Sequence, residues 1–221
     1  MKKGLTELVF ILDRSGSMSG LEKDTIGGFN SMLQKQREID GECRITTVLF
    51  DNRYELLHDR IDIRAVAPMT EKEYCVGGCT ALIDAIGRTI HKLVSVQKST
   101  AEEYRAEKVM FVIITDGEEN ASREYSLKQV KKMIEHEGEA YGWEFVFLGA
   151  NIDAVRTAGQ FGINSDRAAD YLPDAAGTAL NFAVMAEAVA QYREENCISA
   201  RHFDRIRRDV KSRGGKANIN R

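Results

Sequence analysis

Three short segments of this chain carry oxygen-bearing side chains of the types that bind hard metal ions. DRSGSM contains Asp13, Ser15 and Ser17, GGCTAL contains Thr80, and TDGEEN contains Asp116. Two carboxylates and three hydroxyls form a donor set without imidazole or thiolate, which suits cations that prefer oxygen. If the segments meet in the fold, the set predicts Mg²⁺ as the first choice, with Mn²⁺ or Ca²⁺ as alternatives.

Each segment also has an ordinary explanation when it is taken alone. A serine-rich loop after a strand is usually a solvated turn, Thr80 suits a helix N-cap, and Asp116 suits a turn. Glu118 and Glu119 are more typical of solvated surface than of metal ligands. Cys79 precedes Thr80, but only the threonine hydroxyl suits a hard cation. The metal prediction therefore depends on a fold that brings the three segments together.

The order of apolar and amphipathic stretches predicts an α/β fold. The apolar runs that end at Asp13 and Thr115 have almost no polar interruption, as in strands buried on both faces of a parallel sheet. Stretches with helical periodicity alternate with such runs. The predicted strands cover 8–13, 44–50, 108–115 and 143–149, with a short edge strand near 167–172, and the predicted helices cover roughly 22–39, 80–98, 126–137, 152–161 and 178–195.

Local signals also predict where two of these helices begin or end. Ser126 and Gln129 have the spacing of a capping box, and Gly138 is placed to end the same helix. The last long helix is expected to begin at Thr178, directly after Gly177.

The connections between the predicted strands indicate the topology of the sheet. The extended segment 54–63 follows the strand at 44–50 too closely for a crossover helix, so this pair should form an antiparallel hairpin at a sheet edge. The remaining connections predict a doubly wound, mostly parallel sheet with helices on both faces. Ligands bind such sheets beyond the carboxyl ends of the strands, which is where the oxygen-rich segments fall.

DRSGSM, GGCTALIDAIG and IITDGEEN, in this order, resemble the von Willebrand factor type A (vWA) domain over roughly residues 5–195. The resemblance implies that the five residues form a metal-ion-dependent adhesion site. The serines and the threonine would then bind Mg²⁺ directly or nearly so, and the aspartates would act partly through water. An acidic residue of a partner protein would complete the shell of ligands. The matched residues are Asp13, Ser15, Ser17, Thr80 and Asp116.

We therefore expect a non-catalytic, cytoplasmic module that binds a protein presenting Asp or Glu. Bacterial cytosolic vWA proteins further suggest an AAA-type ATPase or a stress-operon protein as the partner. The apolar run before Asp13 is shorter than the roughly 7–15 residues of a signal-peptide core, and no apolar stretch of about 18 residues predicts a membrane span. The formal net charge of -3 argues against nucleic acid as the main partner.

An enzyme is the main competing class. An aspartate at the end of the first strand would suit a phosphatase of the haloacid dehalogenase type, but Ser15 stands where the acid/base carboxylate is needed. Neither a nucleotide-binding loop nor a nucleophile elbow occurs in the sequence. We therefore predict no enzymatic activity. CVGGC, residues 75–79, has the spacing of two zinc ligands without a second close pair, so reduced thiols are expected.

The C-terminal segment differs in charge from the rest of the chain. Residues 1–199 form the predicted vWA-like domain, and residues 200–221 form a basic helix and tail with eight Lys or Arg against two Asp. The alternative function is therefore a scaffold or assembly protein that binds an acidic partner through this segment and keeps the metal for structure. Weak nucleic-acid contact is a further, less favoured interpretation of the same charge.

Overall fold

One sheet of six strands forms the centre of the molecule, and the computed structural model describes residues 1–214. The strands are β1 (Lys2–Asp13), β2 (Glu42–Phe50), β3 (Tyr54–Asp62), β4 (Ala106–Thr115), β5 (Glu144–Gly149) and β6 (Ala168–Asp170). Their order across the sheet is β3-β2-β1-β4-β5-β6. Only β3 runs antiparallel to its neighbour, and it lies at an edge. The predicted fold class, including the edge hairpin, is confirmed.

Within residues 1–214, six α-helices cover the two faces of this sheet. They are α1 (Glu22–Arg37), α2 (Leu82–Ser99), α3 (Leu127–Tyr141), α4 (Ala154–Gln160), α5 (Ala175–Glu195) and α6 (Arg201–Asp209). One apolar core lies between the sheet and α1, α5 and α6, and the other lies between the sheet and α2, α3 and α4. Within residues 1–214 no helix is both long enough and apolar enough to cross a membrane.

The central strand contributes to both cores because successive side chains of a strand point to opposite faces. Leu8, Phe10 and Leu12 of β1 face the first core, whereas Val9 and Ile11 face the second. All five side chains are at most 1% exposed. The continuously apolar run before Asp13 is thus explained by burial on both faces, as expected from the sequence.

The ends of two helices differ from the sequence predictions. The capping box of Ser126 and Gln129 is present, but α3 continues past Gly138 and ends at Gly142, whose φ of 67° is left-handed. The helix α5 begins three residues before Thr178, because the carboxylate of Asp174 accepts a hydrogen bond from the Gly177 amide. In both cases the residue that caps the helix lies four positions from the glycine or threonine that the sequence pattern favoured.

The basic segment after residue 199 packs on the domain as far as the structure describes it. Phe203 and Ile206 of α6 are 0% and 1% exposed within the first core. Arg207 donates to the carbonyl oxygens of Ser165 and Ala168 at 2.9 and 2.8 Å. A π-helical turn, Val210–Gly214, follows α6. The remaining predicted tail, residues 215–221, lies outside the described residues.

Phe203→Ala tests whether the basic segment belongs to the folded unit. We expect this change to lower the free energy of unfolding by about 3–5 kcal/mol, because it leaves a cavity in the first core. Arg201→Ala is the matched control, since Arg201 is exposed, and we expect a change within about 0.5 kcal/mol. Chemical denaturation of both variants measures this, and equal stability of the two would contradict the packing of α6.

Candidate metal centre

Asp13 connects the ends of the two central strands. Its side chain is buried, with 1% exposure, at the carboxyl end of β1. Oδ1 accepts a hydrogen bond from the Ser15 amide at 2.7 Å, and Oδ2 accepts one from the Thr115 hydroxyl at 2.6 Å. The hydroxyl of Tyr74 donates to the carbonyl oxygen of Asp13. These bonds hold the carboxylate in one place at the edge where the sheet ends.

The chain curls directly after Asp13 instead of remaining extended. Residues Gly16–Met18 form a single 3-10 turn, and Met18 anchors it in the first core with 2% exposure. The hydroxyl oxygens of Ser15 and Ser17 lie 3.0 Å apart as a result. Ser15 is buried and Ser17 is exposed, so this pair of hydroxyls extends from the buried carboxylate to the solvent.

Asp116 follows β4 at the same edge of the sheet, and its carboxylate is incompletely bonded. The residue is 2% exposed, and Oδ2 accepts a hydrogen bond of 3.5 Å from the side-chain Nδ2 of Asn151. The other oxygen, Oδ1, is buried and has no hydrogen-bond partner among residues 1–214. A buried carboxylate oxygen without a donor is costly unless a ligand compensates for it.

The hydroxyls of Ser17 and Thr80 both lie close to Gly117, the residue after Asp116. A Cβ atom at Gly117 would lie 3.2 Å from the Ser17 Oγ and 3.4 Å from the Thr80 Oγ1. Because glycine has no side chain, the two hydroxyls approach the main chain next to Asp116. The structure therefore brings together the side chains of all five residues predicted from the sequence, namely Asp13, Ser15, Ser17, Thr80 and Asp116.

Main-chain hydrogen bonds hold the Thr80 segment in this position. The Thr80 amide donates to the Asn120 Oδ1 at 2.9 Å, and the Asn120 amide donates back to the Thr80 carbonyl at 3.0 Å. The Gly16 amide donates to the Gly78 carbonyl at 3.1 Å. Gly78 has a φ of 79°, a left-handed backbone conformation that favours glycine, and a Cβ there would lie 2.2 Å from the Asn52 Oδ1.

Glu119, rather than Thr80, caps the helix that follows. Ala81 occupies the N-cap position of α2 without a side-chain cap, and the Glu119 Oε2 accepts from the Ile83 amide at 2.7 Å. The Glu119 Oε1 accepts from the Ser122 amide at 2.7 Å. Glu119 is therefore a structural residue, not the freely solvated one that the sequence suggested, whereas Glu118 is exposed. The Thr80 hydroxyl forms no hydrogen bond within residues 1–214.

The two carboxylates raise the electrostatic cost of the site. Burial raises the pKa of Asp13, and the hydrogen bonds from Thr115 and Ser15 only partly oppose this. Burial also raises the pKa of Asp116; the Ser17 hydroxyl lowers it, and the negative charge of Asp13 raises it further. Neither carboxylate forms an ion pair with any Lys or Arg of residues 1–214. A bound cation would supply the missing positive charge.

Other metal chemistry finds no support in the described part of the chain. No group of three or more His, Cys, Asp or Glu within residues 1–214 is arranged to hold a metal ion. All four cysteines are free, and Cys75 and Cys79 are exposed. Arg14, inside the DRSGSM segment, pairs with Glu55 at 2.6 Å and with Asp51 at 3.4 Å. The arrangement thus remains a set of two carboxylates and three hydroxyls.

Solved structures of other proteins share this fold. A von Willebrand factor type A protein from Catenulispora acidiphila matches with a TM-score of 0.56 and 15% identity, covering 84% of this chain and 42% of that chain. Proximal thread matrix protein 1 from the mussel byssus, with a zinc-occupied MIDAS motif, matches with a TM-score of 0.57 and 14% identity over 85% and 46%. Manganese-loaded TRAP protein from Plasmodium vivax matches with a TM-score of 0.51 and 19% identity over 67% and 58%.

These similarities show that the chain has the vWA fold. The sequence identities are too low to show more than the fold, and the chain spans less than half the length of the bacterial and mussel structures. No protein-family model matches the chain, and no curated protein matches it.

Asp116→Asn tests the electrostatic cost of the site without metal. With a chelator present at pH 7, we expect this variant to melt at a higher temperature than the wild type. The raised pKa means that the ionised carboxylate is disfavoured in the folded protein, and the amide removes that charge. Glu118→Gln, an exposed carboxylate two residues away, should leave the melting temperature nearly unchanged. A lower melting temperature for Asp116→Asn would contradict this account.

Proposed function

We propose that the chain is a non-catalytic module that binds a partner protein through a divalent cation at the carboxyl edge of its sheet. The observation that carries the proposal is the buried Oδ1 of Asp116, which lacks a hydrogen-bond partner in residues 1–214. The hydroxyls of Ser17 and Thr80 lie beside the same loop. A cation would complete this set of three neutral hydroxyls and two carboxylates. No side chain of the described residues neutralises the two negative charges.

Mg²⁺ is the cation that this donor chemistry favours most. It binds oxygen ligands in octahedral geometry and commonly retains water, which suits a site with few carboxylates. Mn²⁺ and Ca²⁺ have the same preference for oxygen and remain alternatives. Two proteins of the same fold contain zinc and manganese, which supports a divalent cation without favouring magnesium. Asp13, Ser15, Ser17, Thr80 and Asp116 would hold the ion.

A carboxylate from a partner suits the side of the site that faces solvent. Gly16, Ser17 and Glu118 are exposed, whereas Asp13 and Ser15 lie below them. Because the hydroxyl ligands are uncharged, they would leave the cation attractive to an acidic side chain. The partner would therefore present Asp or Glu, and an AAA-type ATPase or a stress-operon protein in the cytoplasm is the partner class we propose.

In the described part of the chain, the lack of a histidine or lysine at the site supports a binding role over catalysis. Neither histidine nor lysine forms a hydrogen bond or ion pair with the five side chains within residues 1–214. His58, which is buried, lies elsewhere and contacts the hydroxyl of Thr47 at 3.0 Å. Ser15 lies where a phosphatase of this topology needs its acid/base carboxylate, and serine cannot act as one at neutral pH.

Calorimetry with Mg²⁺ compares two serines of the same loop. We expect Ser17→Ala to weaken Mg²⁺ binding at least tenfold, because it removes one hydroxyl of the site. Ser19→Ala is the matched control, since Ser19 is exposed two residues further along and makes no side-chain hydrogen bond in the described structure; its affinity should equal that of the wild type. Equal affinity of both variants would reject the predicted ligand set.

Thermal unfolding measures the same binding in a second way. A cation that binds only the folded state adds RT ln(1 + [L]/Kd), which is about 2.7 kcal/mol at a hundredfold excess over Kd. We expect the wild type to melt at a higher temperature in millimolar Mg²⁺ than in chelator, and Asp116→Asn to lose this difference. An unchanged wild-type melting temperature in Mg²⁺, Mn²⁺ and Ca²⁺ alike would reject the metal site.

Retention of a partner on immobilised protein tests the role of the metal in recognition. We expect a partner that is retained in Mg²⁺, released by chelator and not retained by Asp116→Asn. Retention that survives both the chelator and this variant would instead favour the alternative function, a scaffold that binds through the basic segment.

The alternative function rests on three cations without ion pairs. Arg201, Arg208 and Lys211 are exposed, and none forms an ion pair within residues 1–214. Arg205 and Arg213 are already paired with Glu187 and Asp174, so much of the segment's charge is neutralised. Because Phe203 and Ile206 of α6 are buried in the first core, removal of the segment would also destabilise the domain, so changing these three cations to Gln is the clean test. Loss of partner retention in that variant would favour the scaffold.

A further inference from the structure

A cavity of about 240 Å³ lies at the end of the sheet opposite the metal site. It opens between the last turns of α2 and α3, beside the start of β4. Its apolar lining includes Val94, Ala106, Val109 and Trp143. The ring of Trp143 stacks on Phe111 at 5.6 Å, which fixes this wall of the cavity. The proposed metal-binding function uses no part of this region.

Glu137 is the buried polar side chain of this cavity. The residue is 6% exposed and lines the cavity with its neighbours on α3. Its carboxylate receives no hydrogen bond within residues 1–214, and its Oε1 lies 3.9 Å from the Nε2 of His136. Burial raises the pKa of Glu137, and the charges of His136 and Lys98 only partly oppose this. A ligand that donates hydrogen bonds would compensate the desolvated carboxylate.

We infer that this cavity binds a small organic amine, whose ammonium group pairs with Glu137 and whose compact apolar body contacts Val94, Val109 and Trp143. An ammonium offers three hydrogen-bond donors and a charge opposite to the carboxylate. At ~30 Å³ for each water-sized group, 240 Å³ has room for about eight such groups, the size of an amine on a single ring.

Lys98 is one intrinsic competitor for this site, which Arg105 also lines. It lies at the mouth of the cavity in the last turn of α2, is exposed, and forms no ion pair within residues 1–214. Its charge lowers the pKa of Glu137 from a distance greater than that of an ion pair. When an amine ligand binds, its ammonium group contacts Glu137 directly and without intervening water. This contact takes the place of the weaker interaction of Glu137 with the distant, solvated ammonium of Lys98. Removal of the Lys98 charge should strengthen amine binding.

Trp143 is the sole tryptophan of the chain, so its fluorescence reports occupation of the cavity. We expect benzylamine to give a saturable change with a Kd on the order of 1 mM, as suits a ligand of this size. Benzyl alcohol and benzoate, which have a similar body but no ammonium, should bind at least tenfold more weakly. Free N-acetyltryptophanamide, titrated in parallel, corrects for quenching in solution.

Two variants separate recognition by charge from simple apolar filling. Glu137→Gln should weaken benzylamine binding at least tenfold and leave benzyl alcohol unaffected, whereas Lys98→Gln should tighten benzylamine binding severalfold. Glu118→Gln, the same change at an exposed glutamate at the other end of the sheet, should bind benzylamine like the wild type. The melting temperature of each variant shows whether it is folded. If Glu137→Gln is not folded, the affinities of the wild type for benzylamine, benzyl alcohol and benzoate decide whether the ammonium group is recognised.

Three results would overturn the inference. They are equal affinities of the wild type for benzylamine and benzyl alcohol, unchanged benzylamine affinity in folded Glu137→Gln, and no saturable signal up to about 20 mM benzylamine, roughly twenty times the expected Kd. None of them bears on Mg²⁺ binding at the other end of the sheet, so the two proposals succeed or fail separately.

Discussion

The rest of the site depends on two hydrogen bonds that the Asp13 carboxylate accepts, one from the Ser15 amide and one from the Thr115 hydroxyl. The bond from Thr115 joins the end of β1 to the end of β4, and these are adjacent parallel strands at the centre of the sheet. The loop after each strand is therefore fixed relative to the other. Ser17 and Asp116 meet because these two loops start from positions that the sheet and this one side chain determine.

This arrangement has an energetic cost that the apolar cores must offset. Asp13 and Asp116 are at most 2% exposed, and burial of both charges near each other opposes folding. The strands that carry them are almost fully buried on both faces, so the hydrophobic contribution is concentrated where the cost arises. A strained or costly arrangement inside a well-packed scaffold is typical of sites selected for binding rather than for stability.

Local patterns predict the elements of this fold well, whereas contacts between distant segments determine the details of the site. The strands follow from apolar runs, and the capping box of α3 follows from two residues three positions apart. The cap of α2 by Glu119 and the reciprocal bonds between Asn120 and Thr80 join residues 36 to 40 positions apart, and no spacing rule predicts them. Four of the five candidate ligands lie at or directly after the carboxyl ends of β1 and β4, which converge because the two strands are parallel, whereas Thr80 lies before α2 and is positioned by its bonds to Asn120.

Asp13 and Thr115, which share a hydrogen bond, lie 102 residues apart in the sequence. Formation of the site therefore depends on how much of the chain has been synthesised and folded. A growing polypeptide cannot assemble it until β4 has been made and has inserted beside β1, because both loops start from that pair of strands. Partly made or partly unfolded chains therefore lack the proposed recognition surface altogether. Any partner that depends on it would discriminate complete domains from incomplete ones, without a separate mechanism for quality control.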